Sequence, residues 1–410
     1  MGIPRWNRFP DRYTIVFAAV ALLLFILEQV NGRFWLNDFR VYYDSAQSLL
    51  HGRPLYGVSH GLDSGIFKYA PAIALLYVPL ALLPYAVAAS IQYLLIVAAF
   101  ISASLLADRL IRTHLLNVKA GTYAPLFLTG LVVVVHLHRE LHLGNVNVML
   151  LWLLLFALDR KLAGKRMLGG ALIGLAILTK PHFVVLLPLL LLRREWKTMG
   201  ITLVTVVVGL LLPALLLGVS ENIHLHGEWL GEMAKHNASL IYSGGDNYNA
   251  VNTIYSFLHR AVLGRFTIPN GMETSAMLAA IAAAFGALVL WNLRHNNASA
   301  FVFEYVLLVA LVPSITLTDT EHFLLSLPIV GYVIHNLVPR ADPRWLLLLA
   351  LPLIFGYGGN WEDALGSASD WMIHHGVLGI ANFGLLLLSV FLFLRSNRSN
   401  FSSAAVSSPK

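Results

Sequence analysis

The sequence predicts an all-α polytopic membrane protein, a bundle of about twelve transmembrane helices with interfacial helices in its longer loops. Three observations carry this. Of 410 residues, only 12% are charged and 58% are hydrophobic, where a soluble domain carries roughly 25% charge. The apolar residues, which raise mean hydropathy to +0.71, gather into long runs that a bilayer can bury and a soluble core of this size cannot. Lys and Arg then fall mainly in alternate connections, as the positive-inside rule requires of a chain crossing a membrane repeatedly.

The first run, Tyr13 to Val30, follows Arg5, Arg8 and Arg12. It is too long for the apolar core of a signal peptide and no small-x-small cleavage site follows, so it is expected to be retained as the first span. Further runs fall at 85–107, 122–138, 146–158, 169–179, 182–192, 199–218, 274–292, 301–317, 322–338, 344–358 and 376–394. With the N-terminus in the cytoplasm, the inside segments are Arg5 to Arg12, Arg109 to Lys119, Arg160 to Arg166, Arg193 to Lys197, Arg294, Arg340 with Arg344, and Arg395 to Lys410. Together they hold most of the 28 basic residues. The outside segments hold Asp38, Asp44, Asp63, Glu140, Asp246, Asp319, Glu321, Glu362 and Asp370. Both termini are thus expected in the cytoplasm, with residues 1–394 as one transmembrane domain and 395–410 as a disordered Ser/Asn-rich tail. The net charge of +7 follows from this topology and does not call for a nucleic-acid partner. There is no cysteine, hence no disulfide framework or thiolate metal site. Cytoplasmic connections are short, whereas 31–70, 219–273 and 359–375 are long outer loops, so function is expected on the extracytoplasmic face.

One stretch tests the scheme. Residues 169–192 are long enough for a single span, yet Arg160 to Arg166 and Arg193 to Lys197 flank it with basic clusters. Both flanks belong inside, so the chain must turn back, at Thr179-Lys180-Pro181, where proline disfavours helix at the residue before it. Lys180 is then expected at the tip of a re-entrant hairpin. Broken backbone at that depth is tolerated only inside protein or beside a cavity. Residues 71–84, apolar but punctuated by Pro71, Pro79 and Pro84, are expected to insert only partly.

Five places could carry chemistry. In the first outer loop, Phe39, Tyr43, Ala46 and Leu50 form an apolar stripe on an interfacial helix. Asp38 and Tyr42 share a neighbouring face, and Asp38 is equally suited to cap that helix. The second place is His136, His138, Arg139, Glu140, His142, Gly144, Asn145 and Asn147, read as polar packing or substrate binding. Its histidine spacing does not make a helical metal face and H-E-x-x-H is absent, so metal binding is not expected. Lys180 is the third, a buried cation suited to an anion or else a snorkelling helix-end lysine. The fourth is His322 behind Asp319 and Glu321, equally readable as a helix start with acids in its first turn. The fifth is Asn247, Asn249 and Asn252, where turn chemistry competes. No GxxxxGK[ST] loop or G-x-S-x-G elbow is present.

Taken in order, Asp38-Phe39-x-x-Tyr42-Tyr43, Gly52-x-Pro54-x-Tyr56, Tyr69-x-Pro71, Gly144-Asn145-x-Asn147 and Gly174-x-x-x-x-x-Lys180-Pro181 resemble glycosyltransferase family 87. That family comprises the polyprenyl-phosphate-dependent mannosyltransferases of the GT-C fold, and the resemblance covers roughly residues 35–340. The family more often has Gln at the position of Asn145 and Pro at that of Ala70. The resemblance implies a GT-C-like bundle that passes a hexose, mannose first among them, from a polyprenyl phosphate to a hydroxyl of a glycolipid or cell-envelope glycan. It implies Asp38 as general base and transfer with inversion at the outer face of the cell membrane, without a cofactor. Lys180, Arg139, His322 and Lys68 are then expected around the donor phosphate, and Tyr42, Tyr43, Tyr69, Asn145, Asn147 and Asn252 around the sugars. The rival classes are a transporter or flippase for lipid-linked saccharides, which shares broken helices and a buried cation, and a non-catalytic glycolipid scaffold.

Overall fold

The structure is a computed structural model, described here for residues 9–61, 65–118, 122–242, 248–293, 298–338 and 344–406, with side chains between Arg12 and Ser396. Arg5, Arg8, Asp63, Lys119, Asp246, Asn247, Arg294, Arg340 and Lys410, named above, lie outside the described residues. The helices are α1 (Phe9–Val30), α2 (Asn37–Leu50), α3 (Pro71–Ala81), α4 (Tyr85–Leu110), α5 (Ala124–Val132), α6 (Val134–Leu143), α7 (Asn147–Leu162), α8 (Arg166–Thr179), α9 (Leu186–Leu192) and α10 (Trp196–Leu211). They continue with α11 (Ala214–Leu217), α12 (Val219–His236), α13 (Ile254–Ala261), α14 (Asn270–Leu293), α15 (Ala298–Ile315), α16 (Leu327–Leu337), α17 (Arg344–Gly358), α18 (Glu362–Leu365), α19 (Ser367–His374) and α20 (Val377–Val406). Among the described residues the only strands are the two-residue pair β1 (Ser59–His60) and β2 (Gly65–Ile66).

The protein is therefore an all-α polytopic membrane protein, and each apolar run read from the sequence is helical. Among the described residues six helices are long and apolar enough to cross a bilayer, seven if α5 and α6, bent by 53°, count as one broken span. The other runs are shorter or begin as a 3₁₀ turn, as at Pro181–Val185 and Thr320–Ser326. α3, of 11 residues, reaches only about 16 Å, too short to span. α20 continues to Val406, past Arg395 where the tail was expected to begin.

The chain divides into two compact units: Met1–Leu106 with His136–Ala238, and Ala107–Val135 with Ser239–Lys410. In the first, α8 packs against α7 and α10. Gly170 and Gly174 of α8 face Thr198, Thr202 and Thr205 of α10 so closely that a Cβ on Gly174 would lie 2.6 Å from that of Thr205. Small residues four apart let backbones approach where lipid offers no hydrophobic drive for association. The expected hairpin is present. Thr179 ends α8, Lys180 is extended at φ −131°, and a 3₁₀ turn Pro181–Val185 leads into α9. Glu195, beyond α9, lies 2.7 Å from Lys161 and 3.8 Å from Arg166 at the start of α8. The two ends of the segment thus meet, and Lys180 is its tip.

The second unit has its core among α15, α16, α17 and α20. Nearly every residue of α15 is buried, and Phe303 stacks on Phe393 at 4.1 Å. A buried ionic group ties its chain segments together: Asp108 accepts from Arg112 Nε at 2.9 Å and lies 2.8 Å from His335 Nε2.

Candidate functional site

The first unit gathers its polar chemistry around one turn, Gly144-Asn145-Val146, between α6 and α7. Gly144 has φ of +71°, and a Cβ there would stand 2.8 Å from that of Phe39 and 2.9 Å from that of Leu36. Only glycine meets both demands, and the close approach seats the start of α2 against the turn. Leu36, buried with φ of 44°, bends the chain into α2. Gln92 of α4 donates to the Gly144 carbonyl at 3.2 Å.

Asp38 is the second residue of α2, two positions past the cap, which is Leu36. Its Oδ2 accepts from Asn145 Nδ2 at 2.6 Å. Asn145 Oδ1 accepts from Tyr42 Oη at 3.1 Å and from the Val146 amide at 2.7 Å. Those two donors fix the orientation of the amide, so its NH₂ must face the carboxylate. Tyr42 Oη is 2.8 Å from Tyr69 Oη. A phenol has a single proton, and that of Tyr42 goes to Asn145, so Tyr69 is the donor in this pair. Burial pushes both phenols up from their ordinary range and keeps them protonated. The result is a one-way chain of donors, Tyr69 to Tyr42 to Asn145 to Asp38, whose members polarise one another in the same sense.

A second chain runs two residues further along. Lys180 Nζ donates to Asn147 Oδ1 at 2.6 Å, and Asn147 Nδ2 donates to Glu140 Oε2 at 2.9 Å. An ammonium cannot accept and a carboxylate here cannot donate, so this amide orientation is also fixed. Glu140 Oε1 accepts from the Val148 amide at 2.8 Å, placing its charge at the N-terminus of α7, where helix dipole and unpaired N–H groups favour an anion. Glu140 and Asn147 are fully buried and Lys180 is 9% exposed. Asp38 is half-buried. The tip of the α8–α9 hairpin and the start of α2 therefore meet the same turn through neighbouring asparagines.

Of the expected site residues, Asp38, Tyr42, Tyr69, Asn145, Asn147 and Lys180 are brought together. Tyr43 is not among them. Its hydroxyl donates to the Leu83 carbonyl at 2.7 Å and its ring packs edge-on to Tyr85, so it pins the turn between α3 and α4. Arg139 is on the exposed side of α6. Lys68 neighbours Tyr69, and its carbonyl accepts from Trp229 Nε1 at 3.0 Å. His322 and Asn252 belong to the second unit. There His322 Nδ1 is 3.2 Å from Glu321 Oε1, and Asn252 Oδ1 accepts from the Gly379 amide at 3.2 Å at the start of α20. The stripe expected on α2 is also rotated: Leu50 is 45% exposed, whereas Tyr42 is buried with Phe39 and Ala46. The helix turns this face inward because it packs on α3, not only on lipid. Glu140, named in the sequence's polar cluster but given no role toward donor or sugar there, also belongs to this centre. Its signal was a carboxylate beside an apolar run, which by itself marks a functional or structurally paired position.

Fold and site together define an integral membrane protein that keeps a built polar centre against its spans. A family model, that of glycosyltransferase family 87, matches residues 67–317. This is more than half of the chain, and the protein belongs to that family. It is also similar to an alpha-(1->3)-arabinofuranosyltransferase of Corynebacterium glutamicum, 28% identical over 239 residues. That match covers 56% of this chain and 55% of the relative, so the chain spans about half the length of the relative it matches.

Proposed function

We propose that the protein moves a sugar from a polyprenyl-phosphate donor to a hydroxyl of a membrane glycolipid or cell-envelope glycan, with inversion. The observation that carries this is the pairing of two chains on one turn, one ending on the half-buried Asp38 carboxylate and the other starting from the Lys180 ammonium. An acceptor hydroxyl is a poor nucleophile and needs its proton removed as it attacks. Asp38 takes that proton. The hydroxyl oxygen bonds to the anomeric carbon, the bond from that carbon to the phosphate oxygen breaks, and polyprenyl phosphate leaves with the electron pair. Lys180 meets the charge that develops on it, with Arg139 and Lys68 as further cations for the phosphate. Tyr42, Tyr69, Asn145 and Asn147 are assigned to the sugars. The centre faces the extracytoplasmic side and both termini lie in the cytoplasm, which the distribution of basic residues supports.

The resemblance to the mannosyltransferases supports a hexose such as mannose. The similarity to a protein named for arabinofuranose transfer supports a pentofuranose as the second reading. Purified protein in lipid nanodiscs, supplied in turn with polyprenyl-phosphate mannose, polyprenyl-phosphate arabinofuranose and a sugar nucleotide, decides the donor. Release of free polyprenyl phosphate with one of the first two and formation of the inverted anomer are expected. Transfer from the nucleotide alone would end the proposal, and movement of an intact lipid-linked sugar across the membrane without release would favour a flippase.

A further inference from the structure

The second unit holds a cavity of about 540 Å³ lined by Tyr242, His259, Arg260, Arg265 and His374 with Val262 and its neighbours. It shares no residue with the Asp38 and Lys180 chains. Among the described residues its lining carries two guanidinium groups and two imidazoles and no carboxylate. Local structure fixes most of these groups. Thr253 caps α13, accepting from the Ser256 amide at 3.2 Å, and α13 carries His259 and Arg260 in its last turn. The Arg260 guanidinium donates to the carbonyls of Ser256, Val251 and His375, each at 3.2 Å, which uses three of its five N–H groups and leaves two. His259 Nδ1 stands 3.0 Å from both oxygens of the buried Glu273. The ring of His374 meets that of Tyr242 edge-on. Arg265, on the following turn, is exposed.

The level of the cavity is set by its neighbours. α14 begins at Asn270, five residues beyond Arg265, and α20 begins at Val377, three beyond His374. Both are long and apolar enough to cross a bilayer, so the cavity opens where two spans leave the membrane. Val262, Phe266 and Met272, beside the cations, are 56%, 62% and 66% exposed. Exposed apolar side chains beside fixed cations at a span's end suit a molecule with an acyl part and an anionic head.

We propose that this cavity is a binding site for the phosphate headgroup of an anionic membrane lipid. Arg260 and Arg265 hold the phosphate, His259 and His374 hydrogen-bond the headgroup, and Val262, Phe266 and Met272 lie along its acyl chains. The test uses the full-length protein in detergent, titrated with dioleoylphosphatidylglycerol, dioleoylphosphatidylcholine or inorganic phosphate and followed by native mass spectrometry. Wild type is expected to retain phosphatidylglycerol saturably and in preference to phosphatidylcholine. Arg265→Ala, at an exposed position, keeps the fold, which its melting temperature checks. It should bind phosphatidylglycerol about five- to tenfold more weakly, the worth of one basic residue at a membrane surface or slightly more. Arg265→Ala with His374→Ala should weaken it further. Equal retention of the two lipids, or unchanged affinity in both variants, overturns the proposal. Displacement of the lipid by inorganic phosphate at comparable concentration overturns it as well, because the site would then recognise free phosphate.

Discussion

Asp38→Asn separates chemistry from architecture at the centre of the first unit. The new side chain keeps its size and an oxygen that can accept from Asn145 Nδ2, the partner at 2.6 Å. What disappears is the charge, so a charge-assisted hydrogen bond becomes a neutral one. The difference between the two is about 1 kcal/mol, and Asp38 is only half-buried, so stability should fall by that much or less. A base role predicts something much larger. General base catalysis is worth roughly 10²–10⁴ in rate, about 3–5 kcal/mol of activation free energy. Donor affinity should be nearly unchanged, because the lost proton acceptor is not a phosphate ligand. The assay follows labelled sugar from polyprenyl phosphate into acceptor, with donor binding and melting temperature measured on the same preparation. A folded Asp38→Asn protein that binds donor and transfers at the normal rate would remove Asp38 from the mechanism.

Other perturbations read other parts of the centre. Lys180→Met deletes the ammonium that meets Asn147 and should weaken polyprenyl-phosphate binding about 10- to 100-fold, the worth of a charged hydrogen bond; equal donor affinity by titration would exclude the contact. Glu140→Ala strips acceptors from Asn147 and from the Val148 amide and should lower stability by about 1–3 kcal/mol, seen as an earlier thermal transition, whereas an unshifted melt would mean the network is not structural. Gly174→Val drives a side chain into Thr205 and the Thr202 carbonyl; loss of folded protein by size-exclusion chromatography is expected, and normal yield and melting would contradict the close α8–α10 packing. Single cysteines at Arg166 and Arg194, in a chain with no cysteine of its own, should both resist a membrane-impermeant thiol label in intact cells; labelling of only one would restore a single straight span, and labelling of both would reverse the assigned orientation.

The helices were legible because bilayer burial writes itself into the sequence as apolar runs, and the hairpin was legible because basic clusters on both flanks of 169–192 leave a turn as the consistent topology. Lys180 at its tip followed from the same reasoning. The extent of the spans was less legible. A run's composition does not reveal that 3₁₀ turns, Pro181–Val185 and Thr320–Ser326, replace the first part of two runs, or that α5 and α6 bend by 53°. Within the centre, Asp38, Asn145 and Asn147 stood out as polar residues beside spans. The two-residue offset that sends one asparagine to Asp38 and the next to Glu140 depends on the positive φ of Gly144 and on α7 beginning at Asn147. Tyr42 and Tyr43 were indistinguishable by type; only packing on α3 sorts the buried hydroxyl from the one that pins a turn. Asn252 was read for sugars, but its oxygen supports the start of α20, a use that no spacing in the sequence announces.

The glycines of α8 also act as a rotational key. Gly170 and Gly174 can face α10 in only one setting about the helix axis, and Lys180 follows six residues later on nearly continuous helix. Each residue of an α-helix advances about 100° and 1.5 Å, so the direction in which the chain reaches Lys180 is tied to a contact almost two turns away. One alanine inserted between Gly174 and Thr179 would swing the ammonium away from Asn147 while moving it barely the width of an atom. Four inserted residues would restore its bearing and lift it by about 6 Å. Phase and depth can thus be varied separately, and the contact of Lys180 with Asn147, with any phosphate proposed to bind there, should answer to phase first.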